Sequence, residues 1–348
     1  MKAVTYQEFR GPISLTSAPD PTPPVDGAVI RVEATGLCRS DWHGWCGHDA
    51  DIKQFPHVPG HEFAGTVVEV GTDVQKSFIG QRVTMPFVAG CGSCGECQRG
   101  NPQICDHQFQ PGFTGWGSFA EYVAVRYANG NLVPLPETIS SIAAAAMGCR
   151  LGTAYRAVKT QAGVKPGQWL AVHGCGGVGL SAVMIAHAIG ARVIAVDIRA
   201  EPLAVAKQLG ADVTLKATRS LNVAETIRHL THGGADASLD ALGSVATLTN
   251  SVLCLRKRGR HVQVGLLNEG EPIPPAALQR LIAWELEIAG SHGIQARVYP
   301  EIFDLIQAGK LDPTKLVERT LPLNEAPREL ESLHEYRGSG ITVFTPPT

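Results

Sequence analysis

Four cysteines stand close together in Cys91-x-x-Cys94-x-x-Cys97-x7-Cys105, with Gly92, Gly95 and Gly100 among them. Four thiolates complete a tetrahedral Zn²⁺ shell and leave no position for substrate, so the cluster reads as a structural site. An iron–sulfur cluster also takes four thiolates, but nothing else in the chain suggests electron transfer. A nucleic-acid zinc ribbon would need two CxxC knuckles and a basic surface. A disulfide framework suits an exported chain, and Met1 to Arg10 lacks the basic-then-apolar plan of a signal peptide.

A second set of donors is dispersed. Cys38 sits in Gly36-Leu37-Cys38-Arg39-Ser40-Asp41-Trp42-His43. His61 and Glu62 sit in Pro59-Gly60-His61-Glu62-Phe63-Ala64-Gly65, and Cys149 in Met147-Gly148-Cys149-Arg150. Two cysteines and one histidine make a three-ligand zinc shell whose fourth position is free for water or substrate. Spacing alone does not bring the three together. Taken singly, Cys149 reads as a small core residue and His61 as a turn histidine.

The third constellation is His173-Gly174-Cys175-Gly176-Gly177-Val178-Gly179, a G-x-G-x-x-G pattern at 174, 176 and 179. It follows an apolar strand, opens a helix, and meets Asp197 at the end of the next strand, which is the context a dinucleotide site requires. Gly174 permits the turn, Gly176 lets the backbone approach a pyrophosphate, and Gly179 lets helix and strand pack; Gly177 and Val178 begin the helix whose N-terminus faces the anion. The carboxylate of Asp197 can accept both ribose hydroxyls of NAD and would repel the extra phosphate of NADP. Arg199, two residues on, softens that preference.

These residues need elements to hold them. Up to about residue 150, short Val-rich runs such as Ala28–Glu33, Thr66–Val70 and Gln81–Met85 read as strands between turns. Ser141–Tyr155 is Ala-rich and predicts a helix. From Gln168 strand and helix alternate: strands Trp169–His173, Arg192–Val196, Ala237–Leu239, His261–Val264 and Glu287–Ala289, and helices Val178–Ile189 and Pro202–Leu209. That alternation predicts a doubly wound parallel sheet. A helix over Val298–Ala308 and a strand over Gly340–Phe344 follow. The predicted plan is a catalytic domain of residues 1–150, a nucleotide-binding domain of residues 151–289 inserted into it, and a return to the first domain over residues 290–348.

The 348 residues suffice for two cores. A net charge of −2 argues against a nucleic-acid partner. No apolar run approaches the ~20 residues of a membrane helix. The expectation is a cytoplasmic protein whose partners are small molecules.

Taken in order over essentially the whole chain, these motifs, with Gly117-Ser118-Phe119-Ala120-Glu121-Tyr122, resemble the zinc-dependent alcohol dehydrogenases of the medium-chain dehydrogenase/reductase superfamily. The resemblance implies an α/β chain with a β-rich, GroES-like catalytic domain beside a Rossmann domain. It implies two zinc ions per subunit, one catalytic at Cys38, His61 and Cys149, one structural at Cys91, Cys94, Cys97 and Cys105. Glu62 would approach the metal during ligand exchange, and Asp41 would hydrogen-bond the zinc-bound histidine. Ser40 and His43 would relay the proton, Arg39 would meet the cofactor pyrophosphate, and Phe87, with Trp42 and Trp45, would line the substrate pocket. The implied activity is reversible hydride transfer between a primary or secondary alcohol and NAD, giving an aldehyde or ketone. A polyol or amino-alcohol dehydrogenase of the same superfamily is the nearest rival. A non-catalytic NAD-binding protein is the distant one, and the full set of ligand and relay residues speaks against it. Relatives imply a homotetramer, with a dimer as the alternative. One position departs from the family: Ile341 stands where an Arg usually helps to hold the pyrophosphate, so either cofactor is held less tightly or Arg337 reaches instead.

Overall fold

The computed structural model describes residues 1–267, 275–335, 338 and 340–347. Arg337 lies outside the described residues. The chain forms two compact units, one of Met1–Gly152, Gly293–Gln307 and Asp312–Thr348, the other of Thr153–His292 and Ala308–Leu311.

The first unit is built on a seven-stranded sheet. Its central strand, Ala28–Leu37, pairs antiparallel with Glu62–Val70 on one side and Ile341–Thr345 on the other. Alternate residues of these strands, Ala28, Ile30, Val32, Phe63 and Val67, meet Val83, Met85, Val123 and Val125 in one buried core. The strand runs past the expected Glu33 because Thr35–Leu37 find partners in Thr342–Phe344. One pairing in this sheet matters most for chemistry. Gly36 stands opposite Glu62, so Cys38, two residues beyond Gly36, and His61, one before Glu62, emerge at the same end of the sheet.

The Ala-rich segment departs from a single helix. It starts at Ser140, whose hydroxyl accepts from the Ala143 N–H, and runs as an α-helix over Ser141–Ala145. It then widens to π turns over Met147–Leu151 and Arg156–Ala162, with an α turn at Gly152–Tyr155 between them. Gly148 and Gly152 coincide with the first widening. A Cβ on Gly148 would lie 3.1 Å from Glu62 Cα, and one on Gly152 2.8 Å from Ile294 Cγ2. Composition predicts a plain helix here; the helix instead widens where Gly148 and Gly152 pack closely against Glu62 and Ile294. Such widened turns recur at functional sites.

The second unit carries six strands: β1 Trp169–His173, β2 Arg192–Asp197, β3 Val213–Lys216, β4 Ala235–Asp240, β5 Leu255–Gln263 and β6 Glu287–Gly290. All pairings are parallel, in the order β3-β2-β1-β4-β5-β6. This is the doubly wound sheet, with its switch point between β1 and β4. No helix among the described residues is long and apolar enough to cross a membrane.

Candidate metal centres and the nucleotide turn

Cys38 ends the central strand and begins the helix Arg39–Trp45. Asp41 in its first turn is buried, and its carboxylate organises the region. Oδ2 accepts the Cys38 N–H at 2.9 Å, and Oδ1 accepts the Gly60 N–H at 3.1 Å. Oδ1 also lies 2.8 Å from His61 Nδ1. Gly60 must be glycine: its φ is +105°, and a Cβ would lie 2.7 Å from the Phe119 backbone nitrogen. With Nδ1 committed to Asp41, His61 presents Nε2 inward. That atom is buried and has no hydrogen-bond partner among the described residues.

The donor atoms of Cys38, His61, Glu62 and Cys149 all lie within 4.8 Å of one another. Without a cation the group is electrostatically uneven. The Cys38 thiol is held well below its ordinary value by its contact with Cys149, helped against burial by Arg150 and His61. The same contact and burial push Cys149 well above. Burial opposes a charge on His61, but Asp41 and the Cys38 contact outweigh it and raise the imidazole's pKa. Soft thiolates, an imidazole with a bare buried nitrogen and a carboxylate holding its far side are the donor set and outer layer of a zinc site.

Glu62 is fully buried, and burial raises its carboxyl's pKa. Its partner is Arg150, which the sequence marks only as the residue after Cys149. Phe87 and Phe113 flank the imidazole, with ring centroids 6.2 and 5.2 Å from His61. Nothing in the sequence marks Phe113. Trp42 and Trp45 pack against an apolar cluster containing Val4, Tyr6, Leu37 and Phe119, and Trp45 Nε1 donates to the Gly11 carbonyl. Arg39 is exposed, its guanidinium 5.5 Å from the centre of the Trp42 ring.

Ser40 Oγ lies 3.8 Å from Cys38 Sγ. His43 is exposed two residues past Asp41, and its Nδ1 lies 3.0 Å from Nδ1 of His48, a residue that no motif in the sequence marks. Partial burial, then the charges of His48 and Arg39, hold the His43 imidazole below its ordinary value.

The four-cysteine cluster is local. Its sulfurs lie within 4.8 Å of one another, and all are free thiols. Backbone N–H groups of Cys91, Cys94, Cys97 and His107 point at sulfurs from 3.2 to 3.5 Å away. Burial opposes the Cys91 thiolate, but Ser93 and the Cys94 N–H outweigh it and bring the thiol down to about 6. Burial and neighbouring thiols push Cys97 up to about 12. Four sulfurs close together and an amide lining fit a closed four-thiolate metal shell.

In the second unit, Gly174 has φ +89°, and a Cβ on Gly179 would lie 1.8 Å from the Gly174 carbonyl oxygen. A Cβ on Gly176 would meet nothing within 4 Å, so the space in front of the turn is open. Gly177 and Val178 begin the helix Gly177–Ala188. Asp197 braces the turn: Oδ2 accepts the Cys175 N–H at 2.8 Å and Oδ1 the Arg199 N–H at 2.9 Å. Each oxygen keeps a second lone pair for a ribose hydroxyl.

The chain matches the family described as alcohol dehydrogenase GroES-like domain over residues 25–137, and that described as zinc-binding dehydrogenase over residues 177–308. An NAD-dependent alcohol dehydrogenase of Sulfurisphaera tokodaii is 34% identical over 356 residues, covering 99% of this chain and 100% of the relative. An alcohol dehydrogenase of Geobacillus stearothermophilus is 35% identical over 275 residues, 79% of this chain and 80% of that one. Among solved structures, an alcohol dehydrogenase from Thermus sp. ATN1 superposes with a TM-score of 0.89 at 31% identity, covering 100% of both chains.

Proposed function

The chain belongs to the zinc-dependent alcohol dehydrogenases of the medium-chain dehydrogenase/reductase superfamily, and from that premise we propose that it interconverts primary or secondary alcohols with aldehydes or ketones at a zinc ion held by Cys38, His61 and Cys149. It is an NAD-dependent alcohol oxidoreductase. The observation that carries the zinc assignment is the buried His61 Nε2, which faces a group of thiols and has no hydrogen-bond partner among the described residues.

Bound there, zinc would supply a Lewis acid that acidifies the substrate hydroxyl, while NAD would supply the hydride acceptor. The chain does the rest. Asp41 fixes the His61 tautomer so that Nε2 faces the metal. Ser40 Oγ takes the hydroxyl proton and passes it toward His43. The lowered pKa of His43 keeps it a neutral acceptor at physiological pH. Glu62 serves metal exchange. Phe87, with Trp42 and Trp45, shapes the substrate pocket. The turn Gly174–Gly179 and Arg39 hold the cofactor pyrophosphate, and Asp197, tempered by Arg199, selects NAD over NADP. Cys91, Cys94, Cys97 and Cys105 hold a second, structural zinc. In this reading residues 151–289 are the cofactor-binding domain, residues 1–150 and 290–348 the catalytic domain, and the assembly is a cytoplasmic homotetramer.

The test is a panel of primary alcohols, secondary alcohols, polyols and amino alcohols, assayed with NAD and with NADP, alongside metal analysis. The expected result is simple-alcohol oxidation with NAD, two zinc ions per chain, and loss of activity with one zinc retained after brief chelation. One zinc or none in active enzyme would sink the two-site reading. A marked preference for polyols would move the substrate class.

A further inference from the structure

Glu62 is fully buried, and one of its carboxylate oxygens lies within 4.8 Å of the Cys38, His61 and Cys149 donor atoms. A carboxylate so placed is a ready fourth ligand, and a fourth protein ligand would close the shell to substrate. Three donors hold it. The Arg150 backbone N–H donates to Oε1 at 3.0 Å, Arg150 Nε donates to the same oxygen at 3.1 Å, and Arg150 Nη2 donates to Oε2. Arg150 is itself only 9% exposed, so the pair is held away from competing water.

We propose that Arg150 is a positioning residue that keeps the fourth coordination position of the Cys38–His61–Cys149 site open by retaining Glu62. The inference rests on the zinc reading of that site. Its physical basis is charge and geometry. Two thiolates and a neutral imidazole carry −2, which a divalent cation cancels; the Glu62 carboxylate carries −1, which Arg150 cancels. A forked guanidinium occupies both carboxylate oxygens at once, which a single ammonium cannot do. Remove the guanidinium and a buried carboxylate is left uncompensated, a costly state. The nearest remaining cation is then the metal. Ligand and retaining residue are sequence neighbours on the widened turn Met147–Leu151, so one local distortion delivers both.

The test uses the full-length protein with Co²⁺ loaded at this site and imidazole as the probe of the open position. Arg150→Met should alter the visible Co²⁺ spectrum and weaken imidazole binding by about tenfold or more, the scale of outer-layer effects at metal sites. Arg150→Met combined with Glu62→Gln should restore both, because the competing carboxylate is gone. Arg150→Lys, which keeps the charge but loses the fork, should give an intermediate loss, and it carries the test should Arg150→Met fail to fold. Unchanged imidazole binding in Arg150→Met or Arg150→Lys would overturn the proposal. So would a double variant as impaired as the single one. A wild-type cobalt site that binds no imidazole would overturn the zinc reading and this one together, whereas normal wild-type binding with unaffected variants overturns this one alone.

Discussion

The two donor sets of the first unit are built by opposite means. Cys91, Cys94, Cys97 and Cys105 come from one short loop, are lined by amide N–H groups of the same loop, and include three half-exposed residues. Cys38, His61 and Cys149 come from two strand ends and a distorted helix, and they depend on side chains from elsewhere: Asp41 behind His61, Arg150 behind Glu62. A local loop can satisfy thiolates with its own backbone, so it needs little from the fold, and it leaves no room for substrate. A site assembled from distant segments can leave one position open, because separate elements supply each ligand and a separate residue restrains each competitor. The cost is dependence on the fold, visible in the buried charges that must all be paired.

The largest expected effect separates the sets outright. His61→Ala should abolish alcohol oxidation and remove one metal equivalent while the four-cysteine site keeps its own. Metal analysis alongside initial rates checks this; loss of both metals would break the contrast. Next, Asp41→Asn removes the charge that orients the imidazole. Metal affinity at the open site should fall by roughly 10–100-fold, read by chelator competition, with no change at the cysteine cluster.

Cys97→Ser attacks the other set. It should lower the thermal midpoint by several degrees, on the order of 5 °C, while kcat of the folded protein stays within about twofold. A large kcat loss at unchanged stability would mean that the cluster takes part in chemistry. The smallest effect concerns the proton path proposed for the open site. In the proposed relay His43 accepts a proton in its neutral form, so its lowered pKa should extend alcohol oxidation to pH values below the usual ~6.5 of histidine. Burial, the main cause, stays in His48→Gln, but one repelling charge goes. The His43 pKa should then rise, moving the acid limb of the pH–rate profile upward and leaving the rate near pH 8 unchanged. A limb that stays put would remove His48 from the electrostatics of the relay.

The features legible from the residues alone are local. The cysteine spacing, the glycine turn between strand and helix with Asp197 after it, and the alternation that becomes the parallel sheet are all written within short windows. There, turn geometry and hydrophobic period act without help from the rest of the chain. Asp41 and His61, twenty residues apart, could be linked only through the resemblance to a family. Tertiary structure decided the rest. The register that sets Gly36 opposite Glu62 brings Cys38 to His61, and register is a property of two strands, not one. The Ala-rich segment reads as a plain helix until Gly148 packs against Glu62 and its turn widens. Phe113 and Arg150 carried no signal of their own, because an aromatic in a loop and an arginine in a helix acquire roles only from what they face. Arg150 faces a buried carboxylate beside the donor atoms of Cys38, His61 and Cys149, and burial is what would turn an ordinary charge pair into the proposed restraint on the site.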